Sequence, residues 1–311
     1  MTNVQEFTFL SSDGKTSLHA MEWLPEGRDV IGVLQIAHGV AEHIARYDGF
    51  ARFLNEQGLA VVGHDHLGHG RSIAPGDTPV YFGHGNTWDT VVDDLYALHL
   101  RLREEFPGKP LFLMGHSMGS FLARTYLIRY PGTVRSAVIM GTGWQPELMI
   151  RGELAVVKAL AARHGDDAVS DFVNNLAFGG YNRAFAPNRT GVDWLSADTE
   201  NVDRYIDDPL CGQSATVGLF RQMLSGIRFN QRPENLRKMD RDMPVLIVSG
   251  QQDPVGGMMK GVIRTRDAFC SAGMRNVTLL SYPGLRHEIL NEKDRQQTVY
   301  DDIAGWLKKY C

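Results

Sequence analysis

The chain has 311 residues, of which 43% are hydrophobic and 22% charged, and these proportions predict a folded protein with a sizeable core. Its formal net charge of −4 does not indicate a nucleic-acid partner, which usually leaves a basic patch. The three cysteines, Cys211, Cys270 and Cys311, lack the spacing of a disulfide framework or a zinc site, so we expect three reduced thiols. With no signal-peptide pattern and no apolar run of about 20 residues, the sequence predicts a soluble cytoplasmic protein.

Predicted strands and helices alternate over the first part of the chain. A hairpin of two strands, at 6–11 and 17–23, comes first, with a turn at 12–15. The following strands are predicted at 30–38, 59–63, 110–115 and 134–141, and the helices at 47–57, 87–106 and 118–130. Strands alternating with helices are typical of βαβ units and a mostly parallel sheet.

The alternation stops at residue 142 and resumes after residue 240. Residues 142–240 are polar and helical in patches, without a clear buried strand. Beyond them, strands are predicted at 243–250 and 277–282 and helices at 260–272 and 294–309. Because neither half supplies a full sheet, we interpret residues 1–141 and 241–311 as one α/β core and residues 142–240 as an inserted helical cap.

Ser117 is the candidate nucleophile. It lies in Gly115-His116-Ser117-Met118-Gly119, which matches the G-x-S-x-G pattern of a nucleophile elbow. The predicted strand at 110–115 precedes this pattern and the predicted helix at 118–130 follows it. The sharp turn brings the backbone close to itself on both sides of the serine, where only glycine fits. An ordinary glycine–serine turn is the competing interpretation, which the strand–helix context disfavours.

Asp253 and His287 are the candidate acid and base. A serine hydroxyl is a poor nucleophile without a base. In proteins with a nucleophile elbow, the three catalytic residues follow the chain order Ser, then Asp or Glu, then His. Asp253 follows the predicted strand at 243–250 and His287 follows the one at 277–282, which places both at the carboxyl edge of the sheet. The alternative role of Asp253 is that of a turn former before Pro254. We expect activity to fall in acid, because the base must be neutral.

The backbone N–H groups of Val40 and Met118 are the candidate oxyanion hole. Val40 follows Gly39 in the loop after an early predicted strand, and Met118 opens the helix after the nucleophile. Two such donors stabilise a tetrahedral intermediate, and the loss of one costs roughly 3 kcal/mol of transition-state stabilisation.

A cluster of histidines at 64–69, HDHLGH, suggests a different chemistry. Imidazoles and a carboxylate at short spacing are potential metal ligands. We favour a structural interpretation, in which Asp65 and its neighbouring histidines hold a loop by hydrogen bonds, because no helical HExxH spacing accompanies them. His43 and His116 are likewise interpreted as packing or hydrogen-bonding neighbours of the site.

Four segments together resemble the monoacylglycerol lipases and related bacterial lysophospholipase-like hydrolases. They are HGVAEH at 38–43 with Arg46 and Tyr47, HDHLGHGRS at 64–72, GHSMG at 115–119 and DPL at 208–210. The resemblance implies an α/β-hydrolase fold of about eight strands with a helical cap, hydrolysis of carboxylic esters, and no cofactor. We expect no metal ion in the site. Residue by residue, it implies Ser117, Asp253 and His287 as the triad and the amides of Val40 and Met118 as the oxyanion hole.

The same resemblance implies monoacylglycerols or lysophospholipids as substrates. Apolar residues of the predicted cap either contact the acyl chain or pack the cap on the core: Leu148, Met149, Phe172, Leu176, Phe178, Phe185, Trp194, Leu219, Phe220 and Met223. Transient contact with lipid surfaces is expected through the cap. The alternatives are a carboxylesterase, thioesterase, acyltransferase or peptidase of the same fold, and a catalytically silent binding protein, which the complete triad disfavours. The sequence does not indicate an oligomeric state.

Overall fold

Eight strands form one sheet in the computed structural model, which describes residues 2–311. The strands are β1 (Thr2–Leu10), β2 (Ser17–Pro25), β3 (Gly32–Ala37), β4 (Leu59–His64), β5 (Leu111–His116), β6 (Ser136–Met140), β7 (Val245–Gly250) and β8 (Val277–Tyr282). They lie in the order β1-β2-β4-β3-β5-β6-β7-β8. β2 is antiparallel to both β1 and β4, and the other neighbouring pairs are parallel. The predicted mostly parallel sheet is therefore confirmed.

The central strands are covered on both faces. Every residue of β3, β4, β5, β6 and β7 is buried. Successive residues of β5 point to opposite sides: Leu113 belongs to one apolar cluster, and its neighbours Phe112 and Met114 belong to another. Continuous apolar runs in the sequence predict such strands, because a parallel sheet carries helices on both faces.

Ten α-helices lie within residues 2–311. They are α1 (Asp48–Glu56), α2 (Thr87–Glu105), α3 (Met118–Arg129), α4 (Glu147–His164), α5 (Asp171–Phe178), α6 (Thr199–Asp207), α7 (Val217–Asn230), α8 (Pro233–Leu236), α9 (Lys260–Ser271) and α10 (Lys293–Lys308). α1 and α10 meet on one face, where the rings of Phe50 and Tyr300 lie 4.9 Å apart. α2 and α3 cover the other face and bury Leu95 and Leu122.

The observed boundaries differ from the predicted ones mainly at the N-terminal strand. β1 begins at Thr2 rather than at residue 6, because its backbone pairs with β2 over the whole length from Thr2 opposite Pro25 to Leu10 opposite Ser17. The extent of this pairing depends on the partner strand, so the residue pattern of β1 alone does not predict it. The other predicted elements of the core agree with the structure to within two residues.

Helices α4 to α8 all lie between β6 and β7, in the segment interpreted as a cap. Within the described chain this segment contains short helical turns but no strand. It is attached to the core through α7, which packs against both α3 and α4. We refer to residues 142–240 as the cap segment, and their division from the core stays a prediction.

Two further sequence expectations concern thiols and membrane spans. All three cysteines are free, with Cys211 buried and the other two exposed. Across residues 2–311 the helices are too short or too polar to cross a bilayer.

Candidate active site

Ser117 occupies a strained turn between β5 and α3. It is the one residue between His116, which ends the strand, and Met118, which begins the helix. Its φ of 54° and ψ of −122° lie in a region that non-glycine residues rarely adopt and that costs roughly 1–3 kcal/mol. A strained turn of this kind presents a serine hydroxyl at the carboxyl edge of a sheet.

The glycines on either side of the serine are required by close backbone contacts. A Cβ on Gly115 would lie 2.2 Å from the carbonyl oxygen of Gly119, and a Cβ on Gly119 would lie 2.0 Å from that of Ala37. Both distances are far shorter than any van der Waals contact, so no side chain fits at either position. The structure agrees with the steric argument made from the sequence.

Asp253 and His287 form a buried hydrogen-bonded pair. Asp253 follows β7, His287 follows β8, and His287 Nδ1 lies 3.0 Å from Asp253 Oδ2. The Asp253 side chain is fully buried, and its Oδ1 accepts a hydrogen bond from the Val255 backbone at 2.9 Å. This carboxylate therefore fixes the imidazole with Nδ1 as the donor, which leaves Nε2 as the basic nitrogen.

One cavity of about 540 Å³ contains the candidate catalytic groups. Ser117 and His287 both line it, and Asp253 lies behind His287. Val40 and Met118 line it as well. A Cβ on Gly39 would lie 3.1 Å from Ser117 Cβ, so the loop after β3 passes directly against the serine. The structure thus brings together all five residues that the sequence assigned to the site.

Comparison with known proteins identifies the family. Residues 28–294 match the profile of the family described as serine aminopeptidase, S33. The chain belongs to this family. Over 92% of its length it is 32% identical to a monoacylglycerol lipase of Mycolicibacterium smegmatis, of which it covers 90%. It is 28% identical to the monoglyceride lipase of Homo sapiens, over 96% of this chain and 89% of that one.

A solved structure agrees with this relationship. A carboxyl esterase from Bacillus coagulans, in complex with glycerol, has a TM-score of 0.90 and 27% identity, covering 99% of this chain and 98% of the esterase. The protein is therefore an ester hydrolase of the α/β-hydrolase fold, related to the monoacylglycerol lipases.

Behind the site of this hydrolase lies a buried ionic network that the sequence analysis did not assign. Glu42 Oε1 accepts hydrogen bonds from the Gly39 backbone at 2.5 Å and from Tyr47 Oη at 3.0 Å. Arg46 donates to Glu42 Oε2 at 2.8 Å and to both carboxylate oxygens of Glu288 at 2.8 and 2.7 Å. The network links the loop that carries Val40 to the residue that follows His287.

His116 joins this network next to the nucleophile. Its Nδ1 lies 3.1 Å from Glu42 Oε1 and its Nε2 lies 3.3 Å from the His287 carbonyl oxygen. Burial alone would raise the pKa of Glu42, but the hydrogen bond from His116 and the charge of Arg46 hold that pKa well below its usual range. Burial likewise lowers the pKa of His116, but the hydrogen bond to Glu42 and its charge raise it overall. His116 is thus a support of the site.

The histidine cluster at 64–69 is packed as a structural unit. Asp65 accepts hydrogen bonds from His19 Nδ1 at 2.9 Å and from the backbones of Ile44 and Arg71, both at 2.8 Å. Burial lowers the pKa values of His64 and His69 to about 3 each, so both imidazoles are neutral. These contacts favour the structural interpretation over a metal site.

Among the described residues, the group whose donor atoms are spaced for a metal ion is a different one. It consists of His43, Asp208 and Cys211. His43 Nε2 lies 2.8 Å from Asp208 Oδ2, which ties the loop after β3 to the DPL turn of the cap segment. His43 is therefore a hydrogen-bonding neighbour of the site, as the sequence suggested.

Part of the apolar set predicted in the cap segment lines the cavity. The lining members are Met149, Leu176, Phe178, Trp194, Phe220 and Met223. Two others are exposed, Leu148 at 82% and Phe172 at 61%, and Leu219 is fully buried in the core. Phe185 packs under the guanidinium of Arg286 at 4.0 Å.

Trp194 has a contact that residue patterns did not reveal. The centre of its indole ring lies 5.1 Å from the centre of the His287 ring. The sequence marked Trp194 only as one apolar residue among many, and no spacing connects it to a residue 93 positions later. For Glu42 and Arg46, the HGVAEH segment with its following arginine was the available signal.

Proposed function

We propose that this hydrolase cleaves the ester bond of monoacylglycerols through an acyl-enzyme on Ser117. His287 Nε2 takes the proton from the Ser117 hydroxyl while its oxygen attacks the ester carbonyl. The N–H groups of Val40 and Met118 donate to the resulting oxyanion, and Asp253 stabilises the imidazolium. The glycerol oxygen leaves with the proton from His287, and a water molecule, activated by the same base, then releases the fatty acid.

The observation that carries this proposal is the joint placement of Ser117 and the Asp253–His287 pair in one cavity with largely apolar walls. The hydrogen bond of 3.0 Å inside the pair supplies an oriented base. The cavity of about 540 Å³ lies within the range of roughly 300–1,000 Å³ that small-molecule sites occupy. Apolar residues from the cap segment, such as Phe178, Phe220 and Met223, provide surface for an acyl chain.

The charges of the cavity favour a neutral head group over a phosphate. Its described lining contains the carboxylates of Glu42, Glu153 and Glu288 but no lysine or arginine. Glu42 and Glu288 are both paired with Arg46, which leaves Glu153 as the unpaired one of the three. Burial raises the pKa of Glu153. A phosphate would lose its hydration beside carboxylates without gaining a cation, whereas glycerol hydroxyls are able to donate to them.

A substrate panel tests the proposal. We expect 1-monooleoylglycerol to be hydrolysed with a kcat/KM at least tenfold higher than that of lysophosphatidylglycerol with the same acyl chain, whose phosphate carries no compensating cation. Activity on monoacylglycerols should rise with acyl length until the cavity is filled. The Ser117→Ala variant should lose turnover by several orders of magnitude while it retains its fold.

Three outcomes of that panel would count against the proposal. Equal rates on the two lipids would remove the head-group argument, and a chain-length profile without a trend would remove the apolar cavity as an acyl site. Faster cleavage of an aminoacyl 4-nitroanilide than of any ester would favour a peptidase.

We also propose that the cap segment contacts lipid surfaces. α4 and α5 expose Leu148 at 82%, Met149 at 53%, Phe172 at 61% and Leu176 at 45%, and Met149 and Leu176 also line the cavity. Exposed apolar side chains next to a cavity for acyl chains form a surface that a lipid bilayer or micelle would bury.

Co-sedimentation with phosphatidylcholine vesicles tests this contact. We expect Leu148→Asp combined with Phe172→Asp to weaken binding at least threefold. The control is Leu10→Asp, which changes a leucine as exposed as Phe172, 62% accessible, on the edge strand β1. Equal losses in the control and in the double variant would contradict a specific surface.

A further inference from the structure

A short turn of the cap segment, Asp193–Leu195, contacts the loop of the base residue by residue. The Asp193 carbonyl accepts a hydrogen bond from Arg286 Nη1 at 2.5 Å. The Trp194 ring packs on the His287 ring, with 5.1 Å between the ring centres. The backbone N–H of Glu288 donates to the Leu195 carbonyl at 2.8 Å. Three consecutive residues of the turn thus hold three consecutive residues of the catalytic loop.

The turn is itself fixed, so it is able to hold the loop in one place. The Asp193 carboxylate accepts hydrogen bonds from the backbones of Arg189 at 2.6 Å and Thr190 at 3.0 Å. The Trp194 backbone donates to Asn182 Oδ1 at 2.8 Å. The Trp194 ring also meets the Tyr181 ring edge-on, with 5.0 Å between centres. The indole is therefore packed from behind as well as against the imidazole.

Two more links join the cap segment to the same loop. Asn201 Nδ2 donates to Glu288 Oε2 at 2.8 Å. The carboxylate of Glu292 accepts from the Arg286 backbone at 2.7 Å and from the Ala197 backbone at 3.1 Å. These bonds place the cap segment and the loop in a single hydrogen-bonded unit.

The hydrogen bond to Asp253 does not by itself fix the orientation of the His287 ring, and catalysis requires that orientation to be fixed. A ring held at Nδ1 alone is able to pivot about that contact, which moves Nε2 away from the serine. Two aromatic neighbours oppose the pivot: His116 from the core, 4.7 Å between ring centres, and Trp194 from the cap segment, 5.1 Å. His116 is anchored by Glu42.

We infer that Trp194 is a positioning residue for the base, and that the turn Asp193–Leu195 makes the orientation of His287 depend on the seating of the cap segment. The inference rests on the proposed role of His287. The cap segment then has a second task besides lining the acyl site, because it completes the alignment of the catalytic base. A displacement of about 1 Å at a reacting group is enough to cost a large factor in rate.

The test uses substrates too small to need the apolar walls. We expect Trp194→Leu to slow labelling of Ser117 by a small fluorophosphonate about tenfold and to lower kcat on p-nitrophenyl acetate by a similar factor, with KM changed less than twofold. Trp194→Phe keeps an aromatic face and should restore most of the rate. The matched control is Trp144→Leu, which removes an indole from the same cavity. Within the described residues, Trp144 has no aromatic contact with His287, so it should slow labelling far less.

The possible outcomes distinguish failure of this inference from failure of the proposed function. Labelling of Trp194→Leu at the wild-type rate, or at the rate of Trp144→Leu, would overturn the inference while the proposed function stands. If the wild type itself does not react at Ser117, the proposed function fails first. Thermal unfolding shows whether each variant is folded. If Trp194→Leu is not, Arg286→Met removes the bonds to the Asp193 and Ser196 carbonyls, and the same loss of kcat without a change in KM is expected.

Discussion

Replacement of Glu42 by glutamine tests whether the buried network supports the oxyanion loop. The Glu42 side chain is 4% exposed and accepts from four groups: the Gly39 backbone, Tyr47 Oη, Arg46 Nη1 and His116 Nδ1. Glutamine has nearly the same shape but removes the charge and turns one acceptor oxygen into a donor. At least one of the four donors is then left facing another donor.

The expected loss of unfolding free energy depends on which hydrogen bonds the partners of Glu42 keep in the variant. Breaking a buried ion pair from one side typically costs about 3–5 kcal/mol. Arg46 keeps both hydrogen bonds to Glu288, so we expect the lower end, about 3 kcal/mol of unfolding free energy. With an unfolding entropy of roughly 2.1 cal/mol/K per residue, a chain of 311 residues loses about 1.5 °C in Tm per kcal/mol, which gives a decrease of about 5 °C.

Activity should fall together with stability in Glu42→Gln. The Gly39 backbone loses its carboxylate partner, and the next amide is the proposed donor on Val40. Complete loss of an oxyanion donor costs roughly 100- to 1,000-fold in kcat, so a loosened loop is expected to cost about tenfold. Urea unfolding and steady-state kinetics on a short ester measure both effects. Glu26→Gln, at an exposed position, is the matched control. Wild-type stability together with wild-type kcat in Glu42→Gln would refute the reasoning.

Two further predictions concern sterics and pH. Gly119→Ala should lower the unfolding free energy by roughly 1–3 kcal/mol and reduce labelling of the nucleophile, because its Cβ would meet the Ala37 carbonyl oxygen at 2.0 Å. The control is Gly305→Ala, in open space on α10, which should stabilise the protein by roughly 0.5–1 kcal/mol. Equal Tm shifts in the two variants would contradict this prediction. Burial raises the pKa of Glu292 from 4.5 to about 7, so between these pH values the folded state holds a proton that the unfolded chain releases. The contribution of Glu292 to the unfolding free energy should therefore decrease as pH rises from 4.5 to about 7. Glu292→Gln should flatten that decrease in a series of denaturant titrations, and an unchanged slope would count against it.

The sheet and its elbow were predictable because their signals are local. Continuous apolar runs such as residues 245–248 occur where a strand is buried on both faces. Gly58, with a φ of 85°, follows the end of α1, and a glycine at that position is a local signal for a helix end. The turn around Ser117 needs glycine two residues before and after it for reasons of backbone contact alone. Chain order then pointed to Asp253 and His287 without any distance information.

The supports of the site were not predictable because they depend on tertiary packing. Arg46 and Glu288 are 242 positions apart and meet only when the segment between β3 and α1 and the loop after β8 are assembled. Trp194 reaches His287 from an irregular stretch of the cap segment, where neither helical nor strand periodicity exists to read. Such contacts join surfaces that different elements present, and a single sequence carries no record of which surfaces meet.

The central claim is that Ser117 is activated by the Asp253–His287 pair. The most direct test is the intact mass of the protein after reaction with a fluorophosphonate probe, for wild type and for Ser117→Ala. The account predicts one adduct on the wild type and none on the variant. No adduct on folded wild type, or an adduct that persists in Ser117→Ala, would contradict it.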